Sequence, residues 1–150
     1  MGQDLLPAPT GAKAPTFAVQ AMKDPHSGNL DRVQIIKGWY QNGHGHEKVY
    51  DVAWSGKRKH DPATGKLPPV GNTVNVSDAA YTNEIGDPEF ALVWKDPEFD
   101  PNQPAFYYTR VLEIPTPRWT DFNDVQFPPN SDIPTSIVER AYTSPIWYTP

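Results

Sequence analysis

Proline limits what this chain can build more than any other residue does. Of its 150 residues, eighteen are proline and ten are glycine. Each interior proline removes a backbone donor and clashes with the preceding turn, so long helices are excluded and short strands joined by long loops remain. Five Trp, seven Tyr and six Phe still give the chain far more apolar surface than a disordered sequence carries. A packed core is therefore expected, and the length suits one domain.

Turn signals divide the sequence into candidate strands. Residues 1–14 hold Pro7, Pro9 and Gly11 among small side chains and read as an extended tail or linker, leaving 15–150 as a single β-rich domain. Thr16–Met22 is a short apolar segment that fits a strand and stops at the dense turn signal Asp24-Pro25-His26-Ser27-Gly28-Asn29. Arg32–Tyr40 is the clearest strand: Val33, Ile35, Lys37 and Trp39 alternate with Arg32, Gln34, Ile36 and Tyr40, so both faces are partly apolar. Gln41–His46 is expected to turn into a second strand, Glu47–Trp54, the pair forming a β-hairpin. Beyond a polar loop from Ser55 to Gly71, the pattern predicts a brief strand over Asn72–Val76 and another over Glu89–Lys95. Ala105–Ile114 is the strongest long strand, with Phe106, Tyr108, Arg110 and Leu112 on one face and Tyr107, Thr109, Val111 and Glu113 on the other. Residues 118–134 read as irregular, Ser136–Ala141 as a helical turn or extended segment, and Thr143–Tyr148 as the closing strand. About seven short strands of this kind predict an antiparallel β-sandwich or partly open barrel with long Pro/Gly-rich loops.

Charge and cysteine content remove several classes of function. Thirteen basic against eighteen acidic residues give a net charge of −5, which argues against a nucleic-acid footprint because phosphate binding needs clustered positive charge. Lys57-Arg58-Lys59-His60 is the one basic run, and Asp61-Pro62 and Gly65 place it in a solvated loop. With no cysteine there is no disulfide, thiolate metal site or thiol nucleophile. The apolar runs fall far short of the roughly 20 residues that span a bilayer, so no membrane partner is expected, and Met-Gly-Gln-Asp does not open a secretory leader.

A family resemblance rests on several motifs in sequence. Lys23-Asp24-Pro25 with Ser27-Gly28, the run from Arg32 to Trp39, and Val49-Tyr50-Asp51-Val52-Ala53 resemble the DUF3604 family. Val93 to Pro101, Pro104 to Glu113, Pro117-Arg118-Trp119 and Arg140 to Tyr148 resemble the C-terminal stretch of that family in the same order. The resemblance implies a longer parent whose larger N-terminal part is similar to PHP-type metal-dependent phosphoesterases. Such chemistry needs several His and carboxylates around two or three metal ions. The four His of this chain cannot rebuild that set, and no family metal ligand carries over onto it.

Three local features carry the remaining chemistry. His44 and His46 flank Gly45 and precede Glu47, a spacing that can bind a divalent transition metal at a surface turn; a plain hairpin turn with exposed imidazoles is the competing reading. Asp96, Glu98, Asp100 and Asn102 place side-chain oxygens at alternate positions, as a Ca²⁺ loop does, but the glycine of an EF-hand is missing and an ordinary acidic turn competes. Asp96 and Asp100 join His44 and His46 as the candidate metal ligands, and no other cofactor is expected. Arg110, among aromatic residues in mid-strand, needs a carboxylate such as Glu113 or Asp51, or an aromatic face. Arg110 with Trp39, Trp54, Trp94, Trp119 and Trp147, of which Trp39, Trp94 and Trp119 stand foremost, would line a groove for a sugar or other small ligand, the alternative being that these tryptophans serve core and interface. The leading expectation is a non-catalytic accessory β domain partnered by the N-terminal part of a parent protein or by itself. An aromatic-lined binding module and an autonomous metal-dependent hydrolase are the alternatives.

Overall fold

A computed structural model describes residues 2–119 and 134–150; most of the stretch expected to be irregular, 118–134, lies outside the described residues. The fold is mainly β, as the proline and glycine content requires. It contains β1 (Thr16–Met22), β2 (Leu30–Gln41), β3 (His44–Trp54), β4 (Glu89–Lys95), β5 (Ala105–Glu113), β6 (Thr116–Pro117), β7 (Ser136–Ile137), β8 (Arg140–Tyr142) and β9 (Ile146–Tyr148). All named strand pairs are antiparallel. Among the described residues there is no α-helix, and no helix long and apolar enough to cross a membrane.

Among the described residues the strands form separate sheets and no closed barrel. One sheet runs β3-β2-β5-β8, and β9 pairs with the same edge of β5 further along. A second pairs β1 with β4, and a third pairs the short β6 with β7. β2 is central in the large sheet, and Val33, Ile35, Ile36 and Lys37 are all buried. This explains its two-sided apolar pattern, because a strand covered on both faces loses the polar alternation of a half-exposed one.

The inner face of the large sheet meets the β1–β4 pair. Phe17 from β1 packs against Tyr107 of β5 at 4.9 Å and Trp94 of β4 at 6.0 Å between ring centroids. Phe17, Ile35, Ala105 and Tyr107 form the buried cluster, ringed by Leu5, Val19, Trp39, Val52, Trp94, Ile146 and Tyr148. Leu5 is held there by its N–H, which donates to the carbonyl of Trp147 at 2.7 Å.

Three local expectations are corrected. The β2–β3 turn is tighter than Gln41–His46, since Gln41 pairs with His44 and only Asn42 and Gly43 lie between them. Both adopt positive φ, 53° and 82°, the two-residue geometry whose twist matches the flanking strands, so pairing continues to the turn itself. Asn72–Val76 is not a strand. The Asn75 side chain accepts from the Ser77 N–H and caps a short 3-10 turn, Val76–Asp78, and such local polar bonds compete with a ladder. Ser136–Ala141 is extended at both ends, forming β7 and the start of β8, and the closing strand is confined to Ile146–Tyr148.

Candidate functional site

Strand register, which alternation alone does not reveal, assembles the polar and aromatic groups of the large sheet's outer face. Asp51 on β3 lies opposite Gln34 on β2, Gln34 opposite Arg110 on β5, and Arg110 opposite Tyr142 on β8. A chain of hydrogen bonds follows that row. The Arg110 Nε donates to Gln34 Oε1 at 2.8 Å, and Gln34 Nε2 donates to Asp51 Oδ1 at 2.7 Å. The same carboxylate meets Arg32 Nη1 at 3.6 Å and His60 Nε2 at 3.4 Å. Arg110 thus reaches Asp51, one of its expected partners, through an amide; Glu113, the other, accepts instead from the Ser27 hydroxyl at 2.5 Å.

Rings occupy the rest of that face. Phe106 and Tyr108 stack at 6.4 Å, Phe106 meets Trp147 at 5.2 Å, and Tyr108 meets Tyr142 at 6.3 Å. Gly38 makes this possible, since a Cβ there would land inside the Phe106 ring. Tyr142 is 56% and Trp147 48% exposed, so the strip Trp147–Phe106–Tyr108–Tyr142 ends in accessible rings beside a guanidinium.

The expected tryptophan groove is distributed differently. Trp39 and Trp94 pack around the inner core, on the opposite side of the large sheet from Arg110. Trp119 is 70% exposed. Trp147 does come to the face of Arg110, where Phe106, Tyr108 and Tyr142 are the aromatic neighbours that the tryptophan grouping left out. The alternation of β5 already placed Phe106 and Tyr108 beside Arg110, whereas the arrival of Tyr142 and Trp147 depends on long-range pairing.

The four candidate metal ligands occupy unrelated settings. His44 and His46 are exposed at the start of β3, and the His46 ring stacks on Trp39 at 5.4 Å. The Asp96 side chain is fully buried: Oδ2 takes bonds from Lys37 Nζ and the Tyr107 hydroxyl, both at 2.7 Å, and Oδ1 accepts the Glu98 N–H at 2.8 Å. Asp100 Oδ1 accepts the Asn102 N–H at 2.9 Å. Among the described residues, no three of His, Asp or Glu gather as a metal-binding group.

The Asp96 network ties the two layers together and sets its own electrostatics. Lys37 belongs to β2, while Asp96 directly follows β4; Lys37 also donates to the Glu98 carbonyl at 2.7 Å. Around the rim, Lys48 and the Tyr50 hydroxyl donate to the Glu98 carboxylate at 2.6 and 2.8 Å. The bond from Lys48, followed by that from Tyr50, lowers the pKa of Glu98. Burial and then the bond to Asp96 raise that of Tyr107, while burial and then the bond to Glu98 raise that of Tyr50. The arrangement is suited to holding charge in a fixed place.

The sheet edges differ in protection. β3 carries Glu47, Lys48 and Asp51 and a register shift that leaves Val52 unpaired, both features that discourage further pairing. β1 has no charged residue or proline, and among the described residues its backbone pairs with β4 alone. A cavity of about 420 Å³ adjoins it, bordered by Ala21, Met22, Thr109, Val111, Ala141 and Tyr142 among others.

A sequence model of the family described as "Protein of unknown function (DUF3604)" matches residues 1–150. No curated protein and no solved structure matches the chain.

Proposed function

The chain belongs to the DUF3604 family, and from that premise we propose that it is a non-catalytic accessory β domain that packs on a further part of a longer protein. The observation that carries this reading is the small second layer: among the described residues, β1 and β4 alone stand over a five-stranded sheet. The outward side of this pair exposes Met22 (72%) and Val93 (71%) with Ala18 and Ala91, alongside the polar Thr16, Gln20, Glu89 and Lys95. An uncharged strand edge beside a cavity invites an added strand, because its backbone donors and acceptors remain to be paired. The partner in this reading is the larger N-terminal part implied by the family resemblance, similar to PHP-type phosphoesterases, and the catalytic groups belong to that part.

Mixing the chain with the separately expressed remainder of a longer family member, followed by sedimentation velocity, tests the reading. A one-to-one complex that Val93→Lys weakens is the expected result. A chain that forms no complex, or one whose complex is indifferent to charges introduced at Val93 and Ala18, overturns it.

A further inference from the structure

The outer face of the large sheet presents a cation, Arg110, that is held through one nitrogen among the described residues. Arg110 is half-buried and fixed through Nε by Gln34, while among the described residues no acceptor meets its two Nη groups. A guanidinium that has lost some of its water and is held at one nitrogen offers a planar fork matching a carboxylate through two parallel bonds. Tyr108, two residues back on β5, and Tyr142, opposite on β8, lie beside it, and the ring strip continues through Phe106 to Trp147. Partly exposed rings of this kind offer flat apolar contact to a ring-shaped ligand. The charge around the site is mixed: Gln34 links Arg110 to Asp51, which Arg32 also meets, and Arg140 shares the face of Tyr142 on β8. The chain as a whole is at −5, which disfavours a polyanion, while a single carboxylate matches the one Arg110 fork.

We propose that this face binds a small ring compound bearing one carboxylate, with the carboxylate on the Arg110 fork and the ring on Tyr108 and Tyr142. An aromatic acid and a uronic-acid sugar share that chemistry. Arg110 and Tyr108 lie on the opposite face of the large sheet from the β1–β4 pair, while Tyr142 also borders the cavity beside β1, so carboxylate binding at Arg110 is read separately from the docking proposed above.

The test titrates benzoate and glucuronate, with benzyl alcohol and glucose as neutral counterparts, into the ¹⁵N-labelled chain. Shifts are followed at the Arg110 Nε–H and the Trp147 indole N–H. The expected result is saturable movement of both signals with at least one acid and much weaker movement with its neutral counterpart; benzoate alone or glucuronate alone identifies which source the face accepts. Arg110→Gln is expected to weaken that binding at least tenfold. Tyr142→Ala, at an exposed ring whose loss leaves the core intact, is expected to weaken it several-fold and decides the matter if Arg110→Gln does not fold. Failure of both acids to saturate, or equal affinity in these variants, overturns the proposal.

Discussion

Replacing Asp96 with alanine strands two buried donors at once. In the native chain, Lys37 Nζ and the Tyr107 hydroxyl both end on Asp96 Oδ2 at 2.7 Å, with the Lys37 side chain 6% exposed. Without the carboxylate, Lys37 retains only the Glu98 carbonyl and Tyr107 loses its acceptor. Leaving one charge of a buried pair unpaired costs about 3–5 kcal/mol. At roughly 2–4 °C per kcal/mol for a chain of this size, the midpoint falls by roughly 6–20 °C. Differential scanning calorimetry of Asp96→Ala measures the drop. The double variant Lys37→Met with Asp96→Asn removes both charges yet keeps an acceptor for Tyr107, so it should recover most of the loss. A drop below about 2 °C in the single variant, or a double variant no more stable than the single, refutes the claim that an unpaired buried charge dominates the cost.

Other outcomes follow from the same geometry. Tyr50 and Tyr107 titrate above their ordinary value of 10.0 in the folded chain, so the stability they contribute is complete below that value and is lost as the pH rises from there toward their folded values. Absorbance of tyrosinate on alkaline titration should show both ionising only as the chain unfolds. Glu98 has the opposite sign: its lowered pKa gives stability that is present above its ordinary value of 4.5 and lost as the pH falls through its folded value. Glu98→Gln should therefore flatten the acid side of a plot of midpoint against pH. Gly38→Ala should cost about 1–3 kcal/mol by forcing the Phe106 ring aside, read by denaturant melts and by a shift of the Trp147 indole signal.

Local pattern carried the fold further than it carried the site. β1 and β4 match the segments read from the sequence, and β5 stops one residue short of the expected Ile114, because proline and turn clusters close to these strands leave little freedom in where they end. Asn42-Gly43 is a short-range signal as well, but glycine and histidine beyond it made the turn read longer than it is. Asn72–Val76 carries two valines and a threonine, and its strand propensity lost to the capping side chain of Asn75. The site is less legible because it is made by register. Alternation along β5 put Phe106, Tyr108 and Arg110 together, yet only the pairing of β5 with β8 and β9 brings in Tyr142 and Trp147. Trp39 and Trp94 look equivalent to other tryptophans in the sequence, and it is the docking of β1 and β4 over the large sheet that draws them into the core.

Hydrogen exchange over β1 bears most directly on the accessory-domain account, measured on the chain alone and again with the remainder of a longer DUF3604 protein bound. The account predicts that amides in Thr16–Met22 exchange faster than those of the central strand β2 in the isolated chain and slow markedly in the complex. β1 amides already as protected as β2 in the isolated chain, or unchanged when the complex forms, would contradict it.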